Sequence, residues 1–376
     1  MTTLLKKAII KHVNLQVVPT SKYEQIQEWI RESIESGRFR PGDKLPSESE
    51  LCRQFDVSRT SVRQAIKTLI NEGWLESKKG IGTFCLLKTR QLTHDIGLIC
   101  YFSGSYIFPR ISTGCDQIAH RNGFHILLKQ SEFEFEKERQ ILSDLQKRGV
   151  DGIIISPYYS GDGLSNRDLL TQMEESGTPV VLIDNYFPDS SFTRIAMDDR
   201  AGGRLVAKYL WDRGHRRIGI LTDSDYYPKQ MRKQGALDFL EEAGADVRPQ
   251  WLLDFKGPAP SGRAYALADS FFSSGKELPS AFICTNDEES IDLYKAAAKH
   301  GLKIPEDLSV ISFDNSNLAE LPGISLSSVD HPGQYMGELA TRIILERIQN
   351  PEVVCQTTSL IQPKLIERSS VGEIRG

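Results

Sequence analysis

Long apolar runs, paired cysteines and the glycine signatures of phosphate binding are all missing from these 376 residues. No stretch approaches the ~18–20 consecutive apolar residues of a membrane span. Met1 to Asn14 carries no apolar core followed by a small-residue cleavage site, so secretion and membrane insertion are both disfavoured. The six cysteines (Cys52, Cys85, Cys100, Cys115, Cys284 and Cys355) lie far apart with no Cys-x-x-Cys, and the seven histidines show no metal-ligand spacing. Neither a disulfide framework nor a zinc site is suggested. There is no Gly-x-Gly-x-x-Gly after a strand, no Gly-x-x-x-x-Gly-Lys-Ser/Thr, no Gly-x-Ser-x-Gly and no His-Glu-x-x-His. The expectation is a cytoplasmic protein without catalytic residues, metal or cofactor.

What is present is a strong asymmetry of charge. The whole chain has a net charge of -4, but residues 1–90 hold 16 Lys+Arg and 10 Asp+Glu, against 30 and 40 in residues 91–376. A head of +6 joined to a body of -10 points to a polyanion partner for the first and another task for the second.

Three helices and a hairpin can be read in the head. Ser21 with Glu24 three residues on offers a capping box, followed by Tyr23, Ile26, Ile30 and Ile34 on one helical face. The box recurs as Ser47 and Glu50 before a short helix through Leu51 and Phe55. After the break at Asp56-Val57, Ser58 caps a third helix with Val62, Ile66 and Leu69 on its apolar face. Trp74–Ser77 and Thr83–Leu86 then read as strands around a basic, glycine-rich tip, Lys78-Lys79-Gly80-Ile81-Gly82. Read alone, Arg59 and Arg63 are solvated helix charges and the tip a surface turn. Read together they form a winged helix-turn-helix, whose recognition helix offers arginines to guanine edges while the helix starts hold phosphates.

Residues Tyr23 to Leu86, carrying Gly42-Asp43-Lys44-Leu45-Pro46-Ser47-Glu48-Ser49-Glu50-Leu51, Val57-Ser58-Arg59-Thr60-Ser61-Val62-Arg63 and Gly80-Ile81-Gly82-Thr83-Phe84, resemble the GntR family of bacterial DNA-binding domains. The resemblance implies operator contacts from Ser47, Arg59, Thr60, Arg63, Lys79, Gly80 and Gly82. The head is placed at residues 17–88 and a linker at 89–94.

From residue 95 to 370 apolar runs alternate with helical stretches. The runs include Ile96–Phe102, Gly152–Ser156, Val180–Asp184, Ile218–Thr222, Ala281–Cys284 and Val310–Phe313. That alternation predicts parallel sheets covered by helices on both faces, in two lobes with a cleft. Ligands sit beyond the carboxyl ends of such strands, where Asp, Asn and Ser recur beside Tyr and Phe. These residues suit a polyhydroxylated ligand, although Asp and Asn there also serve as helix caps. Arg232 stands out, because a cation near the start of a helix opposes the helix dipole and calls for a compensating charge.

Asp151-Gly152-Ile153-Ile154, Pro179–Asp184, Gly214–Gly219, Arg232-Lys233-Gln234-Gly235, Thr285-Asn286-Asp287 and Ile304–Val310 make this body resemble the LacI-type effector core, which shares its fold with periplasmic sugar-binding proteins. The resemblance implies effector contacts on Asp184, Arg232, Asn286 and Asp314, with Tyr106, Phe108 and Tyr158 as wall residues; His215, after the helix-ending Gly214, reads as structural. A GntR-type head on a LacI-type core is similar to the bacterial L-arabinose repressor group. The expectation is an α/β protein, a winged helix-turn-helix plus a two-lobed periplasmic-binding-protein-like core. It acts as a homodimeric repressor that binds operator DNA and is released by a sugar such as L-arabinose. The competing readings are an α/β enzyme and a plain sugar carrier; the first lacks a catalytic motif and the second leaves residues 20–86 unexplained.

Overall fold

The computed structural model describes residues 21–35, 38–40, 42–78, 80–86, 92–101, 107–159, 163–256, 262–351 and 357–374. The chain divides into two units, residues 1–91 and 92–376.

In the first unit, α1 (Lys22–Glu35), α2 (Glu48–Phe55) and α3 (Arg59–Asn71) close over Ile26, Ile30, Leu51, Val62 and Leu69, all fully buried. The Ser47 box is complete: its hydroxyl accepts from the Glu50 amide while the Glu50 carboxylate accepts from the Ser47 amide. Only half of the box forms at Ser21. Glu24 accepts from the Ser21 amide at 2.9 Å, but the Ser21 hydroxyl is buried without a hydrogen-bond partner. Asp56 ends α2 in the left-handed conformation (φ 50°), which lets α3 start afresh three residues on under its Ser58 cap. Strands β1 (Leu75–Lys78) and β2 (Gly82–Cys85) pair antiparallel, Lys78 opposite Gly82. Gly82 (φ 140°) favours glycine because a side chain there would strain the backbone, and the flexible end of Lys44 lies over the open position.

The second unit has two lobes. In lobe 1, β3 (Asp95–Cys100), β4 (His125–Gln130), β5 (Gly152–Ile155), β6 (Val180–Ile183) and β7 (Thr193–Met197) make a parallel sheet with helices α4 (Ile107–Arg121), α5 (Phe135–Arg148) and α6 (Arg167–Glu175). Lobe 2 holds α7 (Asp199–Asp212), β8 (Ile218–Asp223), α8 (Tyr227–Glu242), β9 (Leu252–Phe255), α9 (Arg263–Ser273), β10 (Ala281–Cys284), α10 (Asp287–Lys299), β11 (Ser309–Asp314) and β12 (Ser327–Asp330). The chain then returns. Helix α11 (Gly333–Gln349) packs on lobe 1 through Met336, Ala340 and Ile344, and β13 (Thr358–Ile361) pairs with β7. Strand β14 (Lys364–Ile366) crosses back to pair antiparallel with β12. The strand orders are therefore β13-β7-β6-β5-β3-β4 and β14-β12-β11-β10-β8-β9. Each sheet buries β-branched and leucine side chains on both faces, as the near-continuous apolar runs require.

The lobes are joined by the crossings after β7, after β12 and after β13, so the carboxyl ends of both sheets face one cleft. Within each lobe one helix pair packs by close backbone approach: α4 against α11 at Gly114 and Gly337 in lobe 1, and α7 against α8 at Gly203 and Gly235 in lobe 2. A Cβ at Gly235 would overlap the Arg200 carbonyl. Gly235 lies one turn from Arg232, so this contact also sets where the arginine enters the cleft. His215 is buried, its ring nitrogens within hydrogen-bond reach of the Ser280 hydroxyl (2.9 Å) and the Gly372 carbonyl (3.2 Å). No helix among the described residues is long and apolar enough to cross a membrane.

Candidate functional site

In the head, the amino-terminal turns of α3 expose Arg59, Thr60 and Arg63. Arg59 donates to the Ser49 hydroxyl at 3.2 Å and Arg63 pairs with Glu48 at 3.0 Å, so α2 orients both guanidinium groups. Both contacts are solvent-exposed and worth little, and a nucleic acid can replace them cheaply. Ser47 sits at the start of α2, and Gly80 (φ 76°) and Gly82 turn the hairpin tip. Lys79 lies outside the described residues.

The cleft is organised around charge buried between the lobes. Arg232, 4% exposed, donates through Nε to Asp199 at 2.7 Å and through Nη1 to Asp314 at 2.9 Å and the Thr285 carbonyl at 2.7 Å. Its guanidinium lies 4.8 Å from the Phe313 ring centroid. Helix α8 starts at Tyr227, so Arg232 stands in its second turn, and the compensating charges are these carboxylates. Burial works against the arginine's charge, but Asp314 and Asp199 outweigh it and hold the guanidinium protonated. Burial pushes the Asp199 carboxyl up to about 6 in spite of Arg232.

Asp184, at the carboxyl end of β6 in lobe 1, is 3% exposed and adopts a left-handed backbone (φ 64°). It accepts from the Tyr226 hydroxyl, which reaches over from lobe 2, and lies 3.1 Å from His331 Nε2, at the crossing between β12 and α11. Burial alone would raise its pKa. His331 and Tyr226 reverse the sign and hold the carboxyl below its ordinary range. Tyr226 is packed edge-on against Tyr101 (5.2 Å) and Phe133 (6.0 Å) of lobe 1, and Tyr227 against Tyr186 (5.2 Å).

Asp184, Arg232 and Asp314 thus meet in one buried network. Asn286 is tied elsewhere: its side chain caps α10 by accepting from the Glu289 amide at 2.8 Å, and it borders a cavity of about 320 Å³ that Asp223, Lys229, Phe255 and Arg263 also line. Tyr158 is half-buried, 4.9 Å from the Phe133 ring. Phe108 is 2% exposed in the core of lobe 1, edge-on under Tyr101 at 4.6 Å. Tyr106 lies outside the described residues. A second opening of about 740 Å³ runs between Pro109 and Arg110 of lobe 1 and Glu288, Asn315 and Asn317 of lobe 2.

Asp199, Tyr226, Phe133 and His331 join the site without being among the effector contacts expected from the sequence. Asp199 could have been found as the acid that follows a strand on the chain's way into the next helix. Tyr226 and His331 owe their roles to contacts 42 and 147 residues away along the chain, and no local pattern carries those. Among the described residues no cluster of His, Cys, Asp and Glu could hold a metal ion.

Comparison with known proteins agrees with this architecture. Residues 22–85 match the model of the bacterial regulatory proteins, gntR family, and residues 207–371 that of a periplasmic binding protein-like domain. The chain is 30% identical over 357 residues to the arabinose metabolism transcriptional repressor of Geobacillus stearothermophilus, covering 94% of this chain and 98% of that one. It is 28% identical to the ribose operon repressor of Haemophilus influenzae, over 77% of this chain and 84% of the other. Among solved structures, the transcription regulator CcpA of Lactococcus lactis superposes with a TM-score of 0.63 at 26% identity, over 74% of this chain and 98% of that one. A LacI family regulator from Enterococcus faecium with bound ribose superposes at 0.64 and 23% identity, over 75% and 100%, which speaks to fold alone. These domains and relatives are transcriptional regulators, not enzymes.

Proposed function

The chain belongs to the transcriptional repressors that join a gntR-type head to a periplasmic-binding-protein-like core, and on that premise we propose that it is a cytoplasmic, homodimeric repressor released from a two-fold operator by a neutral sugar, L-arabinose first. The observation that carries the sugar is the charge of the cleft. The Arg232 guanidinium and the His331 ring, which Asp184 holds toward its protonated form, face three buried carboxylates, Asp184, Asp199 and Asp314, beside tyrosine rings. A surplus of acceptors suits a ligand that donates several hydroxyl hydrogens, and it repels anions such as sugar phosphates. Tyrosine faces cover the apolar C–H side of a sugar ring.

In this reading Asp184, Arg232 and Asp314 hold hydroxyls, Asn286 lies at the lobe 2 edge, and Tyr158 shapes the wall, while Phe108 supports Tyr101 from the core behind it. On DNA, Arg59 and Arg63 read bases, while Ser47, Thr60, Lys79, Gly80 and Gly82 approach phosphates. Dimerisation follows from the two-fold symmetry of the sites that helix-turn-helix dimers read. The sugar acts only through its different affinity for the two lobe arrangements, since equal binding would shift nothing.

A thermal-shift screen of sugars, sugar phosphates, nucleobases and amino acids tests the ligand class. L-arabinose should raise the melting temperature and its phosphate esters should not. A panel in which only a nucleobase or amino acid stabilises the chain would overturn the assignment.

A further inference from the structure

Behind the aromatic wall lies a carboxyl that does not line the cleft. Glu138, in the first turn of α5, is fully buried. One oxygen accepts from the Tyr158 amide at 2.6 Å and the other from Asn166 Nδ2 at 3.0 Å. Asn166, equally buried, also donates to the Phe135 carbonyl at 3.1 Å and accepts from Arg139 at 3.2 Å. Glu138 therefore ties both ends of the stretch from Tyr158 to Asn166 to the start of α5. The Tyr158 ring continues the line, 4.9 Å from Phe133 and 6.0 Å from Phe135, and Phe133 faces Tyr226, the residue that bridges to Asp184.

The charged groups around Glu138 do not neutralise it. Arg139, its neighbour on α5, is turned to Asp168 of α6 in a bidentate pair at 2.9 and 3.0 Å, and Arg167 donates to the Asp189 carbonyl. Lys137 pairs with Glu132. Among the described residues Glu138 has hydrogen-bond donors and no paired cation. A buried carboxylate in that position is a poor way to stabilise a lobe, and an apolar side chain of similar size would do better. What it supplies is two fixed acceptors.

We propose that Glu138 is a positioning residue for effector recognition, setting the place of Tyr158 in the cleft wall through that residue's backbone amide. The inference rests on the sugar-binding reading above. It also has a consequence for pH. Burial, only partly offset by Asn166 and Tyr158, pushes the carboxyl up to about 7, so it exchanges its proton near neutrality. Once protonated, the carboxyl loses its negative charge and one oxygen carries a hydrogen, so it accepts more weakly from the N–H groups that face it. Effector affinity should therefore fall as the pH drops through neutrality.

The test uses the full chain with L-arabinose as probe, comparing wild type, Glu138→Gln and Glu138→Ala. Calorimetric titration of the wild type should show roughly tenfold weaker binding at about pH 6 than at about pH 8. Glu138→Gln, a neutral isostere, should bind more weakly than the wild type at about pH 8 and match it at about pH 6. Hydrogen exchange supplies the second arm: Glu138→Ala should expose the Tyr158 amide while the β5 amides stay protected. A Glu138→Gln profile that follows the wild type, a Tyr158 amide unchanged in Glu138→Ala, or β5 released together with Tyr158 would each overturn the proposal. If the wild type fails to bind L-arabinose, the sugar reading falls and the exchange arm alone decides the anchor.

Discussion

Arg232 donates to Asp314 at 2.9 Å from the second turn of α8, and Asp314 accepts it from a left-handed backbone (φ 100°) at the very end of β11. A non-glycine residue held at such an angle is strained by ~1–3 kcal/mol and persists where its surroundings over-determine it. Here the ion pair does so, with Asp199 completing the clamp. Removing the guanidinium leaves two buried carboxylates without their cation. Arg232→Ala should therefore cost the core ~3–5 kcal/mol, measured by urea unfolding, and should abolish any sugar-induced thermal shift. Arg232→Lys keeps the charge but lacks the planar fork that reaches both acids, so it should recover part of the stability and little of the ligand response.

Tyr226 contributes differently, because its ring and its hydroxyl can be separated. Tyr226→Phe keeps the packing on Tyr101 and Phe133 and removes the donor to Asp184 together with the hydroxyl's hydrogen bond to the buried Tyr101 hydroxyl. Loss of a hydrogen bond to a charged acceptor should lower stability by ~1–3 kcal/mol. Since the bond spans the two lobes, small-angle scattering should also show a more open core. An unchanged unfolding midpoint and scattering profile would mean that this contact does not hold the lobes together.

The sign of the pH dependence follows from the buried acids. Glu138 has its folded pKa raised to about 7 from an unfolded 4.5, and Asp199 to about 6 from 3.8. In those windows the folded chain binds more protons than the unfolded one, so both groups make stability fall as pH rises through them. Asp184, depressed in the folded state, acts in the opposite sense and loses its stabilising effect as pH drops below the ordinary carboxylate range. Denaturation midpoints for Glu138→Gln should gain on the wild type between about pH 5 and about pH 8. A difference that stays constant with pH would contradict the raised pKa.

For the head, Arg59→Ala and Arg63→Ala should each weaken operator binding by ~1–3 kcal/mol, read by fluorescence anisotropy. Neither should move the melting temperature of the core, since both side chains are exposed on α3. Unchanged operator affinity in both variants would remove α3 from base reading.

Much of this was legible in the sequence because the signals were local. Caps at Ser47 and Ser58, the four-and-three spacing of Val62, Ile66 and Leu69, and the continuous apolar strands of both sheets were all visible from neighbouring residues. Strand β12 was not, for a physical reason. Its residues are Ser327-Ser328-Val329-Asp330, and the serines are fully buried because their hydroxyls are satisfied, Ser328 by Asp287 at 2.8 Å and Ser327 by the Arg368 carbonyl at 3.0 Å. No hydrophobic pattern marks a strand buried through polar partners. The same limit hid the core of the site: Arg232 was singled out by its awkward place on a helix, but Asp199 meets it only once α7 packs on α8, and the Tyr226–Asp184–His331 link forms only once the lobes are folded against each other. At Ser21 the local signal overreached, since Glu24 makes its half of the box and the hydroxyl does not.

Operator titration with and without sugar decides whether a sugar held at the Arg232 cluster controls the head. The full chain, bound to a two-fold DNA site selected from random sequence, should lose affinity roughly 5–150-fold when L-arabinose saturates the cleft. The Arg232→Lys variant should bind the same DNA and show no such loss. Operator affinity that stays constant while L-arabinose demonstrably binds would mean that the cleft does not control the head.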